Sequence, residues 1–124
     1  MKIVDIAFTS YPVTDLQRAR QFYEGVLGLR EARFFGEEHS GFIEYDIGTA
    51  TLAICNSAPD WKPSTGGGSI GLEVEEFDAA IKQLRASGCT FRLEPLETPV
   101  CHMAVVLDPD GNSVTIHRRK DGRR

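Results

Sequence analysis

The sequence predicts an α+β protein built from two βαβββ modules that form an eight-stranded cup with helices outside. Three observations carry that expectation. A stretch with apolar residues at helical spacing, "TDLQRARQFYEGVLGL", stands between one short strand and three later strand-like runs. A Pro- and Gly-rich segment, "NSAPDWKPSTGGGS", then interrupts the chain near its middle. Beyond it the order strand, helix, three strands returns. One βαβββ unit cannot bury both faces of a short curved sheet. Two side by side leave a concave inner face, which is a natural ligand site.

The first module is expected over about residues 1–56, a linker over about 57–68, and the second module over about 69–120. Its first strand is predicted from Ile3 to Ser10 and stops or bends at Pro12, which has no N–H for a ladder. Thr14 or Asp15 can cap the helix by offering a side-chain oxygen to orphan N–H groups. Leu16, Ala19, Phe22, Tyr23, Val26 and Leu27 form its apolar stripe, and Gly28 is a suitable stop. "LREARFF", "GFIEYDIG" and "TATLAICN" read as three strands, with a turn at Ile47-Gly48-Thr49. Trp61, inside the linker, is expected to pack over the body of the protein. In the second module Ser69 to Glu75 reads as a strand, Asp78 as the cap of "AAIKQLRASG", and Gly88 as its stop. "CTFRLEP", "CHMAVVL" and "SVTIH" complete it, the last two joined by the turn sequence Asp108-Pro109-Asp110-Gly111.

Length and charge narrow the function. At 124 residues the chain is one domain by size. A net charge of −4 argues against nucleic acid as the main partner and leaves room for a small molecule, a cationic one included. No stretch approaches the ~18 apolar residues of a membrane span, and "MKIVDIAFTSYP" lacks the apolar core of a secretory signal. The three cysteines, Cys55, Cys89 and Cys101, form no Cys-x-x-Cys pair. Free thiols in a reducing cytoplasm are expected. The basic tail "HRRKDGRR" reads as a solvated end.

Three stretches also carry a family likeness. "YPVTDLQRARQFYEGVLGL" resembles the opening signature of the vicinal oxygen chelate superfamily, which includes glyoxalase I, extradiol dioxygenases and bleomycin-resistance proteins. "GSIGLEVEEFDAAIKQLRASG" resembles its second-module opening, and "VLDPDGNSVTI" its closing hairpin. The resemblance implies the paired βαβββ cup and a homodimer, and leaves the reaction open. It also implies a metal site: a His in the first strand, a His opening the second module, and a Glu in the last strand. Those positions hold Phe8, Ser69 and Thr115 here. Divalent ions need lone-pair donors converging within ~2.0–2.2 Å, and a phenyl ring supplies none. No metal and no cofactor is therefore expected, with Phe8, Ser69 and Thr115 left as ligand-binding positions.

Strand alternation then points to ionisable residues nearby. If Ser69 faces the cup, so does Glu73, and if Thr115 does, so does His117. His102 breaks an apolar strand between Cys101 and Met103, with its direction open. Each also reads blandly: Glu73 as an exposed strand residue, His117 as a solvated strand end, His102 as a structural histidine. The leading expectation is a small-molecule binding protein without the family metal. The alternative is a metal-independent lyase or isomerase, with Glu73 as base and His102 and His117 stabilising an oxyanion. A third reading gathers Glu73, His102 and His117 into a relocated metal site.

Overall fold

The computed structural model describes residues 1–120, and the last four residues of the basic tail lie outside the described part. The chain is α+β and divides into two compact units, the first Met1–Pro63 and the second beginning at Ser64. Each holds one four-stranded mixed sheet and one main helical segment in βαβββ order.

In the first unit, β1 (Thr9–Pro12) pairs in parallel with β4 (Ala50–Cys55). β4 pairs antiparallel with β3 (Ser40–Ile47), and β3 with β2 (Glu31–Glu37), giving the order β1-β4-β3-β2. The strand predicted from Ile3 is thus corrected to a start at Thr9. Only Thr9 to Pro12 meet β4, whereas Ile3, Val4 and Ile6 are roughly four-fifths exposed. Apolar alternation marked them as strand-like, but a strand needs a ladder partner.

Asp15 caps the helix as expected, its carboxylate accepting the Arg18 N–H at 3.1 Å. The helix begins as α1 (Leu16–Arg20) and continues through a π-helical stretch, Gln21–Val26, which the spacing did not reveal. Gly28 ends it at φ 75°, where a side chain would strain the backbone. Leu16, Ala19, Phe22 and Tyr23 are buried. Tyr23 stacks against Tyr45 of β3 with ring centroids 6.3 Å apart, a pairing worth about 1 kcal/mol beyond its buried area. Register puts Tyr11, Leu52, Ile54, Ile43 and Tyr45 on this helix-bearing face, all of them buried.

In the second unit, β5 (Ile70–Glu73) pairs in parallel with β8 (Ser113–Arg119). β7 (Cys101–Leu107) lies beside β8 and β6 (Phe91–Glu97) beside β7, giving the order β5-β8-β7-β6. The second helix, α2 (Phe77–Ala86), buries Ile81 and Leu84. Its N-cap is Glu76, without a side-chain bond, so the expected cap Asp78 sits inside the first turn instead. The β7–β8 turn is built as its sequence demands. The buried Asp108 carboxylate accepts the N–H groups of Asp110 and Asn112, each at 2.9 Å, and Gly111 takes φ 85°.

Two smaller expectations change. Trp61 remains 44% exposed. His117 to Arg119 belong to β8 instead of a solvated tail, and the Lys120 N–H bonds the Val100 carbonyl at 2.9 Å. No helix among the described residues is long and apolar enough to cross a membrane.

Candidate functional site

Register sorts the second sheet into two faces. On β8, Val114 and Ile116 point to the helix-bearing face and are buried. Ser113, Thr115 and His117 point to the other. Thr115 is paired in register with Gly71 of β5, and His117 with Glu73. Val105 and Met103 of β7 lie beside Thr115 and His117. The helix-free face therefore alternates hydroxyl, ionisable and apolar groups across three strands.

Ser69 and Thr115 meet directly, their hydroxyl oxygens 2.7 Å apart. Two positions further along, His117 Nδ1 donates to Glu73 Oε1 at 2.7 Å, and the Arg119 backbone N–H donates to Glu73 Oε2 at 2.7 Å. The Arg119 guanidinium lies 3.3 Å from Glu73 as well. Desolvation pushes the Glu73 carboxyl up, but the Arg119 amide and the adjoining His117 and Arg119 outweigh it and hold the group below its ordinary range. Glu73 is thus a held carboxylate, engaged on both oxygens.

His102 stands elsewhere. Its ring lies 5.5 Å from that of Phe77 on α2, which puts it on the helix-bearing face, and its register partners are Arg118 and Glu97. So Glu73 and His117 are brought together, and His102 is turned away from them. Among the described residues no group of three or more His, Cys, Asp or Glu is placed to hold a metal ion. The relocated metal site that would join Glu73, His102 and His117 is corrected by this geometry, because two of its donors face one side of the sheet and the third faces the other.

In the first unit Phe8 precedes β1, and its ring meets Phe42 of β3 edge-on, with centroids 5.3 Å apart. On the same helix-free side of that sheet, Arg33 pairs with Glu44 and Asp46, and Thr51 bonds Asp46 at 3.0 Å. The Ser10 hydroxyl is buried there without a hydrogen-bond partner. Separately, a cavity of about 300 Å³ opens at the start of α1, lined by Thr14, Asp15, Gln17, His39 and Asn56.

The donor set does not fit a divalent ion. Phe8 offers only a ring, and the Ser69 and Thr115 hydroxyls are neutral and hydrogen-bonded to one another. Sequence reasoning missed two groups on the second unit's helix-free face. Arg119 completes the cradle around Glu73, and Arg92 of β6 bonds the Ser113 hydroxyl at 3.1 Å. Alternation in "CTFRLEP" opposes Arg92 to Phe91 and was the available signal; nothing in the sequence marked Arg119.

Two sheets, each built in βαβββ order and each with one helix-free face, define a protein of the paired-module α+β class. Comparison with known proteins then identifies the family. Residues 5–116 match the Glyoxalase/Bleomycin resistance protein/Dioxygenase superfamily, and the chain belongs to it. It is 30% identical to a lactoylglutathione lyase of Haemophilus influenzae, with 94% of each chain covered. Among solved structures it resembles TnmS3, an antibiotic binding protein from Streptomyces sp. CB03234, with TM-score 0.79 and 24% identity over 97% of this chain and 99% of that one. A superfamily member from Sphaerobacter thermophilus aligns with TM-score 0.72 and 26% identity, over 94% of this chain and 98% of that one.

Proposed function

We propose that this chain binds a small molecule on the helix-free faces of its sheets without the family metal, and carries out no metal-assisted chemistry there. The observation that carries the reading is the Ser69–Thr115 hydroxyl pair at 2.7 Å, standing where the family resemblance implies metal donors. Neighbouring Met103 and Leu107, both half-buried, supply apolar area, and the flanking hydroxyls and charged groups supply orientation, the mix expected of a ligand surface. Likeness to an antibiotic binding protein supports sequestration as the purpose. Ser69 and Thr115 on the second unit and, separately, Phe8 on the first are the proposed contact residues.

The same reading takes the two modules as one functional domain, the protein as a homodimer, and its compartment as the cytoplasm. The exposed Ile3, Val4 and Ile6 support a covering partner, and the three free cysteines support a reducing environment. A thermal-shift screen against aromatic antibiotics, α-hydroxy ketones and catechols tests the reading. A ligand at 100 times its Kd raises stability by about 2.7 kcal/mol. Failure of every class to move the unfolding midpoint would count against a binding role.

One observation favours a second reading, a metal-independent lyase or isomerase. Glu73 and His117 touch at 2.7 Å, as a base and its proton partner would. The lowered pKa of Glu73 weighs against it, since a strongly held carboxylate is a weak base. Incubation with α-hydroxy ketones in deuterated water decides: exchange of the α-proton that vanishes in Glu73→Gln supports the dyad, and no exchange in the wild-type protein ends it.

A further inference from the structure

The strand arginines of the described chain are matched to acids, with one exception. Arg33 holds Glu44 and Asp46, and Arg118 and Arg119 share Glu73. Arg92 instead has a single hydrogen bond, from its Nε to the Ser113 hydroxyl. The next acid on its own strand, Glu94, is taken by Arg85 of α2 at 2.7 Å.

That single bond is a positioning device. The Ser113 hydroxyl donates its one proton to the Thr65 carbonyl at 2.8 Å, so its lone pair is left to accept from Arg92 Nε. Thr65 is fixed in turn by donating to the Gly111 carbonyl at 2.8 Å. Ser113 is 1% exposed, so the acceptor end of the bond is buried. Arg92 itself is exposed. Its Nε is used and its rotamer constrained, while no hydrogen bond or ion pair within the described residues engages the two terminal nitrogens of the guanidinium. Those nitrogens present the parallel N–H pair that a carboxylate accepts bidentately.

Arg92 also adjoins apolar surface. It opposes Phe91, whose ring lies under the Arg85 guanidinium at 4.5 Å on the helix side. Arg92 therefore shares the helix-free face with Ser113, Thr115, Val105 and Leu107. Thr115 lies two residues along β8 from Ser113, a rise of about 7 Å. A ligand held at Arg92 by an acid would lay a ring system over the half-buried Leu107 toward the Ser69–Thr115 hydroxyls.

The geometry points to a ligand class: an apolar, ring-bearing carboxylic acid whose carboxylate is received by Arg92. This rests on the binding reading above and replaces the cationic ligand that net charge alone left open. Among the described residues, the charge on this face without an acid partner is positive.

Isothermal titration with 2-naphthoate, 2-naphthalenemethanol and 2-naphthylmethylammonium tests it on the full chain. We expect 2-naphthoate to bind at least about tenfold tighter than the alcohol, as a charge-assisted hydrogen-bond pair gives, and the ammonium to bind weakest. Arg92→Met should abolish the advantage of the acid and leave the alcohol unchanged. Arg92→Lys, which keeps the charge without the fork, should recover only part of it. Arg30→Met removes a loop arginine and should change nothing. Circular dichroism melting verifies that each variant is folded. Equal binding of acid and alcohol, or an acid preference that survives Arg92→Met, overturns the inference while the binding reading stands. Absence of binding by all three probes overturns the inference, and the binding reading is then judged by its own wider screen.

Discussion

The hydroxyls of Ser69 and Thr115 lie 2.7 Å apart and share a hydrogen bond across the β5–β8 edge. A pair of neutral hydroxyls so engaged gains little by turning toward a cation, since each would give up a formed bond for a weak ligand contact. The protein dialysed against zinc, nickel or manganese should retain only substoichiometric metal by elemental analysis, and chelators should leave its melting temperature unchanged. Installing donors by Ser69→His with Thr115→Glu should raise metal uptake. A stoichiometric ion in the unaltered protein would contradict this account.

Glu73 links stability to acidity. Its unfolded carboxyl titrates near 4.5, and its folded one lower because the Arg119 amide and the adjoining charges outweigh desolvation. The folded state therefore binds its proton less readily than the unfolded state does. The resulting stabilisation is whole above pH 4.5 and is lost as pH falls through the lower folded value. Glu73→Gln should cost about 0.5–1 kcal/mol at pH 7, since solvent screens this exposed carboxylate, and flatten the acid limb of a urea-denaturation series. An unaltered acid limb would show that Glu73 is not held as described.

His102 and Phe77 tie β7 to α2 through their rings. His102→Ala should lower stability by about 1 kcal/mol, and ligand-induced thermal shifts should persist at full size. Loss of those shifts in a folded variant would place His102 in the binding surface instead.

Capping separates the two helices. Asp15 accepts an N–H at the start of α1, so Asp15→Ala should cost about 1 kcal/mol. Asp78 sits inside the first turn of α2 and interacts with the helix dipole only, so Asp78→Ala should cost a few tenths of a kcal/mol. Chemical denaturation of the two variants compares them directly, and equal losses would contradict the assignment of caps.

Much of the architecture was written in local chemistry. Gly28, Gly88 and the Asp108–Gly111 turn punctuate the chain where a backbone must adopt a positive φ or receive a side-chain bond, and such demands are met by residue type alone. The apolar stripe of α1 was legible for the same reason, although its passage into a π-helical stretch was not: the spacing of Phe22, Tyr23 and Val26 suits either winding. The family likeness implied, from the sequence alone, that Phe8, Ser69 and Thr115 stand where relatives carry metal donors. The direction of His102, the engagement of Glu73 by Arg119 and the isolation of Arg92 from acids were different. Each depends on which residues a register sets opposite one another across strands far apart in the chain, as Glu73 is set against His117 and Leu107 against Ser113. Alternation along one strand says which residues share a face; only the paired sheet with its helix says which face that is, and what waits there.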